Sequence, residues 1–152
     1  MTASSHVIAG CCIALVLPIP ALALPLAFAS HFAMDAIPHY GGDSRTPIGS
    51  RRYNLMLGSD MALAALVLAS VALRQPTHWP WVMLTGIAAA SPDVTWLPSF
   101  VRGLRHQSPR PRNWFMRFHA WVQWCERPQL ALVEVLWLAV SVCVLAVFLS
   151  NK

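Results

Sequence analysis

Three residues with metal-binding side chains follow one another at intervals of four, His31, Asp35 and His39, in the stretch SHFAMDAIPHY (residues 30–40). On an α-helix, positions i and i+4 lie on one face, so His31 and Asp35 point the same way. Imidazole and carboxylate groups both bind divalent transition metals. Pro38 breaks the helix, so we expect His39 on the exit turn and off that face. The spacing therefore predicts a metal site around His31 and Asp35.

The composition indicates where such a site would lie. The 152-residue chain is 57% hydrophobic and 11% charged, whereas about a quarter of the residues of a soluble domain are charged. This predicts one all-α integral membrane domain over residues 1–152, with room for roughly four to six spans of about 20 residues. A net charge of +5 then indicates topology and lipid-headgroup contact, and we expect no nucleic-acid partner.

The first apolar stretch, residues 7–28, contains prolines at positions 18, 20 and 25 and is either one long span or two short ones. Proline in a helix interior removes a donor and clashes with the preceding turn, so we favour a hairpin. Its helices cover about residues 4–17 and 21–37 and are roughly 21 to 26 Å long, short for a bilayer unless it thins locally. Three further spans are predicted over residues 54–73, 79–97 and 129–149, and Pro92 breaks the second of these near its end.

The basic stretch between the last two spans contains a second kind of helix. Its apolar residues recur at spacings of three and four, which is typical of an amphipathic helix lying at the membrane surface. They are Trp114, Phe115, Phe118, Trp121, Val122 and Cys125. The predicted fold is thus an all-α, polytopic membrane protein of about five short transmembrane helices plus one interfacial amphipathic helix.

Charge asymmetry predicts the topology. With five spans, the two arginine-rich loops share one side, which the positive-inside rule places in the cytoplasm. We therefore expect a multi-pass protein of the inner (cytoplasmic) membrane, with its N-terminus inside and its C-terminus outside. The arginines that decide this are Arg45, Arg51, Arg52, Arg102, Arg105, Arg110, Arg112, Arg117 and Arg127.

Seven histidine and ionisable side chains that lie within or beside the spans all fall toward the cytoplasmic side in this topology. They are His6, His31, Asp35, Asp60, Asp93, His119 and Glu134. Because buried charge is costly in lipid, such groups usually face one another or a cavity. They therefore predict one polar site, provided that the hairpin forms. Structural roles remain open for three of them: Asp60 as a helix cap, Asp93 as an acceptor beside the proline kink, and Glu134 as a partner of an arginine.

His119 and Gln123 form a second i, i+4 pair, and Glu126 lies on a similar face seven residues beyond His119. Glutamine is a weaker metal ligand than a carboxylate, and Glu126 would supply one. We class Gln123, Glu126 and His39 together as further metal donors or as groups that orient the ligands.

These motifs and their order resemble small members of the membrane-bound metal-dependent hydrolases, a group distantly similar to zinc-dependent phospholipase C. The resemblance rests on an early histidine, on SHFAMDAIPHY, on SPD at residues 91–93 and on FHAWVQW at residues 118–124. It implies that the metal ligands are His6, His31, Asp35, Asp93 and His119. Gln123 stands where the phospholipase-like pattern has glutamate.

The function predicted from residues and resemblance is hydrolysis of a phosphoester or similar bond in a lipid at the cytoplasmic interface. The metal is expected to be zinc, with Mn²⁺ and Fe²⁺ as alternatives, and membrane lipids are the expected partners. Asp60 or Glu134 would serve as general base or orient the ligands. Arg51, Arg52 and Arg117 would bind headgroup phosphate.

Two other functions remain open at this point. A metal-ion or proton transporter would use the same acids and histidines, but it would also place polar groups in the outer halves of the spans, where the sequence has none. A non-catalytic metal- or haem-binding membrane protein would need suitably placed histidines, and His6, His31 and His119 leave that open. The sequence does not define the oligomeric state.

Overall fold

A computed structural model of the chain describes residues 1–41, 46–108 and 112–150. The described chain is mostly helical, which confirms the all-α prediction; Arg45 and Arg110 of the topology argument lie outside the described residues. The α-helices are α1 (Ala3–Val16), α2 (Pro20–Asp35), α3 (Arg51–Arg74), α4 (Trp79–Ala90), α5 (Leu97–Leu104), α6 (Trp114–Val122) and α7 (Ala131–Ser150). Two 3-10 helices, Ser91–Trp96 and Pro128–Leu130, and two short strands, β1 (His39–Tyr40) and β2 (Glu126–Arg127), complete the described elements.

The first two helices form the predicted hairpin. Helix α1 ends at Val16 and α2 begins at Pro20, so the break falls around Pro18. Pro20 stands in the first turn of α2, where a helix needs no backbone donor. The hairpin is confirmed, and its connection turns the chain so that His6 and His31 lie at the same end of the two helices.

The fourth predicted helix, residues 79–97, breaks at Pro92 as expected, but the chain beyond the break differs from the prediction. Helix α4 ends at Ala90, the tighter 3-10 helix Ser91–Trp96 follows, and α5 then occupies Leu97–Leu104 in what we expected to be a loop. Pro92 and Pro98 both lack the N–H that a continuous α-helix requires at those positions, which accounts for the change of helix type. The 3-10 segment carries Asp93.

Helix α1 is the central element, and it contacts α2, α3, α4 and α7. Its approach to α4 depends on two glycines. A Cβ on Gly10 would lie 2.5 Å from the Thr85 carbonyl oxygen, and one on Gly86 would lie 2.8 Å from Cys11 Sγ. Small residues let helices pack this closely in membrane proteins. This contact holds α4 close to α1. It thereby positions the Ala89 carbonyl of α4 next to His31 of α2.

Acidic side chains from two other helices bind the N-terminus of α1. Asp60 of α3 accepts hydrogen bonds from the backbone N–H groups of Ala3 and Ser4 at 2.8 and 3.0 Å. Glu134 of α7 accepts one from the N–H of Thr2 at 2.8 Å. The first N–H groups of a helix have no partner within it, and carboxylates satisfy them and the helix dipole together. These bonds fix the start of α1 and thereby the position of His6.

Strands β1 and β2, which were not predicted, pair in parallel, with His39 opposite Glu126 and Tyr40 opposite Arg127. The N–H of Gly41 donates a further bond to the Arg127 carbonyl oxygen at 3.3 Å. The pairing ties the chain that leaves α2 to the chain that enters α7.

Two segments of the described chain, α3 and Pro128–Ser150, are long and apolar enough to cross a membrane. Helices α1, α2 and α4 have 14, 16 and 12 residues, below the roughly 20 that a straight span requires. Length and composition therefore support two of the five predicted spans.

Candidate metal centre

Four predicted ligands come together at one end of the helices: His31 and Asp35 from the last turns of α2, Asp93 from the 3-10 helix and His119 from α6. One donor atom from each lies within 4.8 Å of the others. We call these four residues the metal cluster. Residues far apart in the chain thus meet at the His31–Asp35 pair that the helical spacing singled out.

The cluster is compact and almost closed. His31 Nε2 lies 2.9 Å from His119 Nε2, and Asp35 Oδ2 lies 3.2 Å from the first and 3.1 Å from the second. Asp93 Oδ1 is 3.6 and 3.8 Å from the same two nitrogens. His31 and Asp35 are fully buried, whereas 19% of the Asp93 side chain is exposed. The cluster therefore opens to its surroundings on the Asp93 side.

A backbone carbonyl fixes the tautomer of His31. Its Nδ1 lies 2.8 Å from the oxygen of Ala89, and because a carbonyl only accepts, Nδ1 carries a proton. In a neutral ring, Nε2 then presents a lone pair, and that lone pair faces Asp35 Oδ2 at 3.2 Å. Two acceptors at that distance repel each other unless a cation lies between them. Either a second ring proton or a metal ion satisfies the site.

The residues present fit a divalent metal ion. Zinc bonds to nitrogen and oxygen are about 2.0–2.2 Å, so donors around a tetrahedral zinc are roughly 3.4 Å apart. The separations that involve a histidine nitrogen run from 2.9 Å between the two imidazoles to 3.8 Å between His119 and Asp93, and all four donors lie within 4.8 Å of one another. Two imidazoles and two carboxylates suit zinc and also iron or manganese. The Ala89 carbonyl behind His31 is the kind of partner that metal-binding histidines have.

Gln123 lies beside the cluster as an orienting group. Its side-chain Nε2 donates to Asp35 Oδ2 at 3.1 Å and lies 3.4 Å from His119 Nε2. The amide thus holds the carboxylate in the direction of the two histidines. This contact matches the second of the two roles predicted for Gln123, that of a group that orients the ligands.

His6 reaches the cluster through the other oxygen of Asp35. Its ring is fully buried and stacks on His31 with centroids 3.9 Å apart. Nε2 lies 3.2 Å from Asp35 Oδ1, but neither ring nitrogen has a partner in hydrogen-bond geometry within the described ranges. The Met1 amino group also bonds Oδ1, at 2.6 Å. Asp35 therefore presents Oδ2 to the metal cluster and Oδ1 to His6.

Asp60 and Glu134, the predicted general bases, lie at the N-terminus of α1 and outside the metal cluster. Asp60 caps α1 instead of the helix that carries it. Glu134 Oε1 accepts further bonds from the hydroxyls of Thr2 at 2.9 Å and Ser5 at 3.4 Å, while its buried Oε2 has no hydrogen-bond partner in the described chain. Their contacts are those of groups that position α1.

The other candidates lie away from the metal cluster. His39 is fully buried, and its Nδ1 donates to the Ile37 carbonyl at 2.8 Å while Nε2 has no partner among the described residues. Glu126 is exposed on β2. The proposed phosphate-binding residues Arg51, Arg52 and Arg117 are all exposed.

Two contributors to the site were not predicted, the Ala89 carbonyl and the Met1 amino group. Both are backbone groups, and no side-chain pattern marks them.

No family model, curated protein or solved structure matches the chain. The class of the site is accordingly defined by its donors: a buried cluster of two histidines and two aspartates suited to one divalent ion.

Proposed function

We propose that the protein is a multi-pass inner-membrane hydrolase, of the membrane-bound metal-dependent type, that cleaves a phosphoester or similar bond of a lipid at the cytoplasmic interface. One observation carries the proposal: the His31 Nε2 lone pair is enclosed by Asp35, His119 and Asp93, with Asp35 Oδ2 at 3.2 Å and His119 Nε2 at 2.9 Å. A divalent cation in this space would satisfy the two histidine nitrogens and the two carboxylates together.

The exposed apolar surface supports the membrane part of the proposal. The apolar windows of α3 and Pro128–Ser150 are only 17% and 11% buried, whereas an apolar helix in a soluble core would be mostly buried. Leu73 and Leu132 on these helices are 84% and 69% exposed. Surfaces of this kind are stable against lipid. We propose that the shorter helices α1, α2 and α4 cross the same bilayer, which thins around them.

The chemistry follows from the metal cluster. When bound, a divalent ion supplies a Lewis acid for a phosphoryl oxygen and lowers the pKa of water. His31, Asp35, His119 and Asp93 hold it, with the Ala89 carbonyl and Gln123 orienting two of these ligands. The half-open side at Asp93 is where a substrate headgroup would approach. Arg51, Arg52 and Arg117 lie outside the metal cluster and remain predictions as binders of headgroup phosphate.

His6 extends the site on the Oδ1 side of Asp35. Because it shares Asp35 with the metal cluster and its ring nitrogens have no hydrogen-bond partner among the described residues, we propose that it adds a further metal ligand there. Asp60 and Glu134 remain predictions as general bases, and their present contacts support a role in placing His6.

Metal content tests the first half of the proposal. The detergent-purified protein is stripped with chelator, incubated with zinc, desalted and assayed for metal and for thermal unfolding. We expect about one zinc per chain and a higher melting temperature, both lost in His31→Ala and His119→Ala. His78→Ala is the matched control, because His78 is an exposed histidine in the turn before α4. Equal, near-zero zinc in all four proteins would refute the metal site.

Hydrolysis tests the second half. Zinc-loaded protein in vesicles is incubated with headgroup-labelled phospholipids, and release of the label is followed beside Asp93→Asn and His78→Ala. We expect release by the wild type and by His78→Ala, and at least a tenfold loss in Asp93→Asn. Bound zinc without release from any phospholipid would refute hydrolysis while leaving the metal site standing. Zinc uptake into the same vesicles would instead support transport.

A further inference from the structure

We infer that α6 binds an anionic lipid surface, and that this binding and metal binding at His119 strengthen each other. The inference rests on the proposed metal site and adds a partner and a form of regulation to it. It depends on the two opposite faces of one nine-residue helix.

The inner face of α6 belongs to the metal cluster. The buried residues of this helix are His119 and Val122. Besides the contacts of His119, the helix is held by aromatic packing on Phe32 of α2, whose ring centroid lies 6.0 Å from that of Phe115 and 5.2 Å from that of Phe118. A helix with so little buried surface depends strongly on each group that fixes its orientation.

The outer face of α6 is aromatic and basic. At about 100° per residue, Trp114, Arg117 and Trp121 share a face roughly opposite His119. Trp114 and Trp121 are 78% and 73% exposed, and Arg117 is exposed as well. Trp124, just beyond the helix, is also 73% exposed.

Charge and side-chain type identify the occupant as an anionic membrane surface. Tryptophan is enriched at the level of lipid headgroups, where its ring is apolar and its N–H is hydrated. The sequence between Asp93 and Glu126 contains no acidic residue, and its basic residues attract an anionic leaflet. They are Arg102, Arg105, Arg110, Arg112 and Arg117.

The two faces are coupled because α6 is one short rigid element. Insertion of Trp114 and Trp121 among headgroups fixes the orientation in which His119 points at Asp35. A metal bound by His119 fixes the same orientation from inside. The metal ion therefore lowers the free-energy cost of orienting α6 for lipid binding, and the lipid surface does the same for metal binding. Such coupling is reciprocal.

Zinc affinity is measured by chelator competition, at one salt concentration, in lipid nanodiscs of phosphatidylcholine alone and in discs that also contain phosphatidylglycerol. We expect roughly five- to tenfold tighter binding in the anionic discs, within the usual range of such couplings. The difference should fall below about twofold in Arg117→Gln and Trp121→Ser. Trp81→Ser is the matched control, because Trp81 is 45% exposed on α4, and it should retain the full difference.

Hydrogen exchange of residues 114–122 gives a readout independent of affinity. We expect zinc to slow exchange there, and to do so more in anionic discs. Equal zinc affinity in the two lipids would overturn the inference and leave the metal site intact. A difference that persists in Trp121→Ser and Arg117→Gln would also overturn it, since it would reflect accumulation of zinc at a charged surface. No zinc in either disc would overturn the proposed function itself.

Discussion

Asp60 Oδ1 accepts a hydrogen bond from the backbone N–H of Ser4 at 3.0 Å, across the boundary between α3 and α1. The second oxygen of the same carboxylate accepts from the N–H of Ala3 at 2.8 Å. One acid thus satisfies two of the N–H groups that the first turn of a helix cannot pair internally. His6 lies on that turn, so the contact connects a charged residue of α3 to the metal cluster.

Loss of this cap should destabilise the protein. We expect Asp60→Ala to lower the free energy of unfolding by about 1–2 kcal/mol, and Asp60→Asn by less, because its amide oxygen still accepts one bond. Thermal unfolding in detergent measures both. Ser59→Ala is the neighbouring control, since the Ser59 hydroxyl donates to the Met56 carbonyl of its own helix. Unchanged stability with lost hydrolysis in Asp60→Ala would favour the general-base prediction instead.

The glycine contact between α1 and α4 should tolerate no side chain. In Gly10→Ala the new Cβ would lie 2.5 Å from the Thr85 carbonyl oxygen and 2.8 Å from the Cβ of Ala89, so the helices must separate. We expect a loss of about 1–3 kcal/mol in unfolding free energy and weaker zinc binding, because Ala89 also orients His31.

The matched control is Gly58→Ala in α3, where a Cβ would have no neighbour within 4 Å in the part of the chain that the structure describes. There the substitution should raise stability by up to about 1 kcal/mol, because alanine favours the helix. Chemical unfolding of both variants in one detergent tests the pair. Wild-type stability in Gly10→Ala would show that the two helices do not pack as described.

Gln123→Glu should make the metal-free protein less stable and make zinc binding stronger. In the metal-free protein the new carboxylate replaces the amide that donates to Asp35 Oδ2 at 3.1 Å, and repulsion should cost about 1–3 kcal/mol. With zinc, it offers another anionic donor next to His119, as in the phospholipase-like pattern. We expect a larger zinc-induced rise in melting temperature than in the wild type. Gln123→Leu loses the hydrogen bond without adding charge, so its zinc-induced rise in melting temperature should be smaller than that of Gln123→Glu.

The contact between Gly41 and Glu126 can be tested with a double-mutant cycle. A Cβ on Gly41 would overlap the side chain of Glu126. Gly41→Ala should therefore destabilise the β1–β2 pairing by about 1–3 kcal/mol, and most of this loss should disappear in the Glu126→Ala background. Equal effects in both backgrounds would place the strain in the backbone of Gly41. Zinc stoichiometry should stay unchanged in Glu126→Ala, since Glu126 lies outside the metal cluster.

The sequence predicted those features that depend on local spacing. The i, i+4 relation of His31 and Asp35 set both side chains on one face, and Pro18 and Pro20 located the hairpin. Predicting that Asp93 and His119 belong to the site required a further assumption, namely that polar side chains in apolar helices face one another. That assumption was correct for them and placed His6 beside Asp35.

The parts that could not be predicted depend on backbone groups and on tertiary contacts. The Ala89 carbonyl that orients His31 has no side-chain signature, and neither does the pairing of β1 with β2. Asp60 and Glu134 have the residue type of a general base, but their role depends on which N–H groups face them. Pro92 signalled a break without specifying that a 3-10 helix and then α5 would follow it.

The capping of α1 has a consequence for how the protein is made. Glu134 bonds the backbone of Thr2, 132 positions earlier in the chain. At translation rates of about 5–20 residues per second, that delay is on the order of ten seconds. Until α7 has been made, the N–H of Thr2 lacks its Glu134 acceptor. The central helix therefore gains its full set of N-terminal contacts only once α7 is present, and a nascent chain interrupted before α7 would lack one of the acids that place His6.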